Sequence, residues 1–128
     1  MKKIILDTSL LMAVGQFKVD IFSEIKRICD FQYKLVILDR QFDELDRLLG
    51  NGKDGAAAKL ALILIKAKGV EVIKAEQGHV DDLILNAAEK DDVVATVDKN
   101  LKKRAVSQGK KVIFLRQKKY LKLIGDGN

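Results

Sequence analysis

The sequence predicts a three-layer α/β domain built on a central, mainly parallel, five-stranded sheet, and three observations carry that prediction. Short runs rich in Ile, Val and Leu recur along the chain, segments with helical spacing lie between them, and no proline or linker-like stretch interrupts the alternation. At 128 residues the chain is the length of one domain, and it is read as such over 1–128.

The five runs are Lys3–Leu6, Leu35–Leu38, Val70–Ile73, Val93–Val97 and Lys111–Leu115. Most are nearly continuous in branched apolar residues, as strands covered on both faces are. Between them, Phe22, Ile25, Ile28 and Cys29 recur at helical spacing, as do Phe42, Leu45, Leu48 and Leu49. An Ala-rich helix follows around Leu60, Ile63 and Leu64. A fourth is marked by Val80, Leu83, Ile84, Ala87 and Ala88, and a last one runs from Asp98 to about Ser107. The predicted order is β-α-β-α-α-β-α-β-α-β. Gly50-Asn51-Gly52 reads as a break between two helices, and the tail 125–128 as flexible.

Composition removes several classes of protein. Hydrophobic residues make up 48% and charged residues 33%, values of a folded domain rather than a disordered one. The longest apolar run, Leu60–Ile65, lies between Lys59 and Lys66, so no membrane span is expected. Ile4-Ile5-Leu6 is too short for the core of a signal peptide, which points to the cytoplasm. A single cysteine, Cys29, suits a reducing compartment, and with one histidine, His79, neither a Cys-rich nor a His-rich zinc site can be assembled.

Charge is unevenly distributed. The net charge is +6, yet Lys99–Ile124 contains ten basic residues and no acid, leaving 14 basic against 18 acidic residues elsewhere. A basic block beside an acidic remainder suggests a polyanion surface next to a cation site. A solvated helix face with lysines guarding an edge strand is the blander alternative.

The acids give the sharper signal. In an open parallel sheet the functional crevice lies beyond the carboxyl ends of the strands, where strand order reverses. Asp7 directly ends the first strand, Asp39 the second and Asp98 the fourth. Asp81 and Asp82 open the fourth helix, and Glu44 lies in the helix after the second strand. If the first and fourth strands are neighbours, Asp7 and Asp98 face each other. Singly, each acid could be a helix cap, a first-turn acid or half of an exposed pair with Arg40 or Arg47. Caps do not require carboxylates at so many converging positions, however, and clustered carboxylates repel unless a cation neutralises them. Hard ions such as Mg²⁺ or Mn²⁺ suit an all-oxygen set.

Other chemistries fare worse. Gly50-Asn51-Gly52-Lys53-Asp54-Gly55 matches G-x-G-x-x-G in letters only, because it follows a helix and not a strand. There is neither a P-loop nor a G-x-S-x-G elbow. Cys29 reads as core, and His79 as a residue that opens a helix.

These residues resemble the PIN-domain ribonucleases over about residues 2 to 116. Ile5-Leu6-Asp7-Thr8-Ser9 looks like that family's hydrophobic-Asp-Thr-Asn/Ser opening. Phe42-Asp43-Glu44-Leu45 is similar to its second-acid helix, Val80-Asp81-Asp82-Leu83-Ile84 to its Asp-x-Leu-Ile motif, and Thr96-Val97-Asp98-Lys99-Asn100-Leu101 to its Thr-x-Asp-x-x-Leu. The resemblance implies a three-layer PIN-like domain and a metal-dependent endoribonuclease. Asp7, Glu44, Asp81 and Asp98 would be catalytic and would hold one or two Mg²⁺ or Mn²⁺ ions, with Asp82 an alternative ligand beside Asp81. Thr8, Ser9, Thr96 and Asn100 would orient those carboxylates or water from behind, and Lys99, Lys102, Lys103 and Arg104 would hold RNA. Val-Ala-Thr-Val-Asp looks closest to the branch that processes ribosomal RNA, and VapC-type toxins share the core. A homodimer through the apolar Phe17–Ile28 region, an antitoxin or a ribosome-assembly partner would be consistent with either branch. Asn100 stands where many members place a further acid, which keeps a non-catalytic RNA- or protein-binding scaffold open as an alternative. The zinc-binding cysteines of some processing relatives are absent. A third possibility is an Mg²⁺-dependent phosphatase or receiver-like domain, but Ser9 fills the place where a dehalogenase-type enzyme would have a second Asp.

Overall fold

Two strands that lead into aspartates lie side by side at the centre of the sheet: Asp7 follows one directly, and Asp98 follows the other after Val97. The structure is a computed structural model describing residues 1–125; the expectation for the tail falls mostly outside the described residues. The elements run β1 (Lys2–Leu6), α1 (Thr8–Phe17), α2 (Ile21–Ile28), β2 (Tyr33–Leu38), α3 (Gln41–Leu48) and α4 (Gly52–Ala67). They continue with β3 (Glu71–Ile73), α5 (Val80–Ala87), β4 (Val93–Thr96), α6 (Lys99–Ser107), β5 (Lys111–Arg116) and β6 (Tyr120–Ile124). The strand order is β3-β2-β1-β4-β5-β6. Every pairing is parallel except β5 with β6. Order reverses between β1 and β4, where Leu6 pairs with Ala95 and the Asp7 N–H donates to the Ala95 carbonyl at 2.8 Å.

The alternation of side chains along each strand divides the core in two. Ile4 and Leu6 of β1, Ile37 of β2, Ala95 of β4 and Ile113 and Leu115 of β5 face α1, α2, α3 and α4. Ile5, Val36, Val94, Val112 and Phe114 face α5 and α6. This is the expected three-layer arrangement, with the parallel strands buried on both faces.

Two elements were not expected. Helix α1 buries Leu10, Leu11, Met12 and Ala13 in one unbroken run, because it is pressed between the sheet and α4 and shows no polar stripe. Strand β6 makes the sheet six-stranded. The turn that leads into it puts Gln117 and Lys118 at φ 53° and 54°, a left-handed conformation usually signalled by Asn or Gly.

The packing of α1 on α4 depends on one small residue. A β-carbon on Gly15 would lie 2.8 Å from the Ala57 Cα and 2.9 Å from its Cβ, closer than non-bonded carbons come. Gly15→Val should therefore push the helices apart and destabilise the protein by about 2–3 kcal/mol. A lowered denaturant midpoint at unchanged m-value would show this, and a midpoint equal to that of wild type would refute it.

Candidate active site

The four expected acids Asp7, Glu44, Asp81 and Asp98 line one open cavity of about 300 Å³ at the carboxyl ends of β1 and β4, and Asp54 of α4 is a fifth acid in its wall. Thr8, Ser9, Met12, Gln16, Leu48 and Val97 complete the wall.

Asp7 sits deepest and is only 5% exposed. It occupies the N-cap position of α1, yet its side chain caps nothing. Its Oδ2 instead accepts from the Ser9 hydroxyl at 2.5 Å and from the Thr96 hydroxyl at 2.8 Å. Burial pushes its pKa up. The Ser9 and Thr96 hydrogen bonds pull it down, and the charges of Glu44 and Asp98 raise it further, so the net direction is upward. Asp81, at the start of α5, is also raised, first by desolvation and then by Asp7 and Asp98. Asp98 keeps its role as a cap as well as its place in the cavity: its Oδ1 accepts from the Asn100 and Leu101 N–H groups of α6.

Glu44 is held by a chain of hydrogen bonds whose direction the backbone dictates. The Leu38 N–H can only donate, and it does so to Gln41 Oε1 at 2.8 Å. The Leu6 carbonyl can only accept, and it takes Gln41 Nε2 at 2.7 Å. The other amide hydrogen therefore goes to Thr8 Oγ1 at 3.2 Å, and the Thr8 hydroxyl donates its own to Glu44 Oε1 at 2.5 Å. Gln41 is wholly buried and was missed in the sequence, as were Asp54 and Gln16 in the cavity wall.

The remaining expected residues are placed elsewhere. Asp82 does not line the acidic cavity. It pairs with Arg104, whose hydrogen bond lowers its pKa, and the two flank a neighbouring hollow with His79, Val80, Glu44 and Asp81. Asn100 is exposed on α6 and meets Asp98 only through its backbone N–H. Asp39 accepts from the Ala75 N–H and so ties β2 to the segment after β3. Lys99 and Lys103 are exposed, and Lys102 is half-buried. Cys29 closes α2, and burial pushes its thiol up to about 11, so it stays protonated at neutral pH.

The donors around the cavity are all oxygen, and the carboxyl groups of Asp7 and Asp81 are strained by their like-charged neighbours. That is the chemistry a hard divalent cation relieves. Among the described residues no three acidic, histidine or cysteine side chains form a ready-made ion cage. An ion of the Mg²⁺ type needs only one or two carboxylates, since it keeps much of its water. The residue set fits such an ion.

A family model described as a PIN-like domain matches residues 4–118. The chain belongs to the PIN-domain ribonuclease family. Among PIN-domain relatives, ribonuclease VapC4 of Methanocaldococcus jannaschii is 35% identical over 98% of both chains. Ribonuclease VapC9 of Archaeoglobus fulgidus is 30% identical over 90% of this chain and 84% of its own. The PIN fold is matched by the structure of the PIN domain endonuclease Utp24. That match has a TM-score of 0.76 at 24% identity and covers 97% of this chain and 93% of the other. A domain of a functionally unknown protein from M. jannaschii also shares the fold, at 19% identity and a TM-score of 0.64, over 91% and 92% of the two chains.

Proposed function

We propose that the protein is a divalent-metal-dependent endoribonuclease that hydrolyses RNA phosphodiester bonds. The observation that carries this reading is the convergence of Asp7, Glu44, Asp81 and Asp98 on one crevice at the point where strand order reverses. Asp7, Glu44, Asp81 and Asp98 would hold Mg²⁺ or Mn²⁺. Such an ion lowers the pKa of its bound water and stabilises charge on the departing oxygen. The chain's own groups prepare that environment. Ser9 and Thr96 fix the Asp7 carboxylate, and Thr8, set by Gln41, fixes Glu44. The amide groups of α6 hold Asp98. Asp81 is preferred to Asp82 as a ligand, because Asp82 is engaged by Arg104.

The two VapC relatives favour a toxin-type nuclease with an antitoxin partner over ribosomal RNA processing. The scaffold alternative rested on Asn100, and Asn100 lies outside the cavity wall, so the lack of a charge there leaves the four acids together.

The test is cleavage of a labelled RNA with Mn²⁺ or Mg²⁺ by wild type, Asp7→Asn and Asp98→Asn, each first shown to be folded by circular dichroism. Loss of more than about 100-fold in both variants is expected, since even partners of metal ligands are worth up to that much. Cutting that is equal in all three proteins would defeat the proposal.

A further inference from the structure

Two of the protein's half-buried cations meet acids: Lys3 pairs with Asp92 and Arg104 with Asp82. Another basic group gathers against an aromatic ring instead. On the α6 face of the sheet, Lys102 Nζ lies 4.4 Å from the centre of the Phe114 ring, and Arg116 Cζ lies 5.9 Å from the same centre. Lys122 of β6 stands directly opposite Phe114 in the antiparallel pair, so its side chain leaves the same face. Lys102 and Arg116 thus lie against the ring, and Lys122 stands on the same face beside it. Among the described residues none of them has an acidic partner within salt-bridge distance. Arg116 Nε is moreover buried without any hydrogen-bond partner.

Like charges collected without a counter-charge cost free energy, and so does an unpaired buried donor, unless an anion completes the site. The ring supplies cation–π attraction but no acceptor for the guanidinium N–H groups. The group also has a definite relation to the acidic crevice. The Lys102 N–H donates to the Asp98 carbonyl, so Lys102 is one helical turn from Asp98, and Phe114 pairs across the sheet with Thr96. A chain that leaves the crevice on the β5 side passes over this spot.

We propose that Lys102, Arg116 and Lys122 form a phosphate-binding site around Phe114 that holds the RNA backbone a nucleotide or two from the bond being cut. The proposal rests on the nuclease reading for its choice of ligand. The guanidinium fork of Arg116 suits two phosphate oxygens, and the two lysines add unoriented charge. Base edges find no reader here, so the site contributes affinity without sequence preference.

The test uses the non-cleaving Asp7→Asn protein and a fluorescent single-stranded RNA, with binding followed by anisotropy as KCl is raised. Adding Lys102→Gln, Arg116→Gln and Lys122→Gln together should weaken binding about tenfold or more at 0.1 M salt. It should also reduce the slope of log K on log[salt] by about 0.7 for each phosphate that is no longer neutralised. A control carrying Lys26→Gln, Lys59→Gln and Lys66→Gln removes the same charge from α2 and α4 on the opposite layer, and its slope should stay near that of the parent. Equal losses in the two triple variants, or an unchanged slope in the first, would overturn the site. Displacement of RNA by polyglutamate as readily as by polyuridylate of equal charge would overturn its assignment to RNA. If the triple variant fails to fold, exposed Lys122→Gln alone must still lower the slope, or the proposal falls. In the cleaving background the same triple change should raise KM and spare kcat. A wild type that cuts nothing but shows the slope change would sink the nuclease reading and leave the phosphate site standing. Normal cutting with unchanged KM and slope would do the reverse.

Discussion

Asp7→Asn is expected to abolish RNA cleavage and, in the absence of divalent ions, to make the protein harder to melt. The second effect follows from the environment of the carboxylate. Asp7 is buried at 5% exposure, and desolvation together with the charges of Glu44 and Asp98 raises its pKa above the ordinary 3.8. An acid whose pKa is raised by folding costs stability once it ionises. Below pH 3.8 Asp7 is protonated in both folded and unfolded chains, and the variant and wild type should melt alike on this account. As the pH rises through the folded value, wild type loses stability that the amide variant keeps, so the gap opens and then levels off. The amide oxygen can still accept from Ser9 and Thr96, whose hydroxyls both point at one carboxylate oxygen. Each kcal/mol relieved is worth about 4 °C in a chain of this size. Adding Mn²⁺ should reverse the order by stabilising wild type far more than the variant. A metal-free variant that melts below wild type at pH 7 would show that Asp7 is held for the fold and not for a cation.

The second large effect concerns Gln41. Replacing it by Leu leaves the Leu38 N–H and the Leu6 carbonyl without the partners they have in a site of zero exposure. Each orphaned group costs about 1–3 kcal/mol, so a total near 3 kcal/mol is expected from the denaturant midpoint. That loss alone would not show that the amide serves the crevice, and Thr8 provides the separation. Thr8→Val removes the hydroxyl that passes the Gln41 hydrogen bond to Glu44, whereas Thr8→Ser keeps it. Thr8→Val should bind Mn²⁺ more weakly and cut about 10–100-fold more slowly, and Thr8→Ser should stay close to wild type. Equal Mn²⁺ affinity in the two variants would mean that the hydroxyl does nothing for Glu44.

The ends of β1 and β4 were legible in the sequence, because two apolar runs each stop on an aspartate and parallel sheets place such ends on one side. The cavity wall follows from that for Asp7 and Asp98, and the motif resemblance added Glu44 and Asp81. That Asp81 and not Asp82 lines the cavity was visible only in the structure, since both lie in the first turn of α5 and Arg104 engages Asp82. Helix α1 escaped notice because it is enclosed on two sides, and a helix without a wet face has no period to read. Strand β6 escaped because its turn is built from Gln117 and Lys118 rather than the residues that favour positive φ. Gln41 begins the polar-looking stretch Gln41-Phe42-Asp43-Glu44, where nothing in the order of residues announces a buried amide that spans two strands. Asp54 reaches the cavity only because α4 folds back along α1, a contact between distant segments.

The neighbouring of β1 and β4 also has a consequence for when the protein becomes dangerous to RNA. The Thr96 hydroxyl that fixes Asp7 comes from a residue 89 positions later in the chain. A nascent chain that has emerged only as far as α5 already carries Asp7, Glu44 and Asp81, and β2 beside β1, but it has neither β4, the other neighbour of β1, nor Asp98. Contacts so far apart in sequence form late, because closing the intervening loop must come first. The acidic crevice therefore assembles only after the segment through Asp98 has emerged, and a chain that stops within α5 has neither β4 nor that acid.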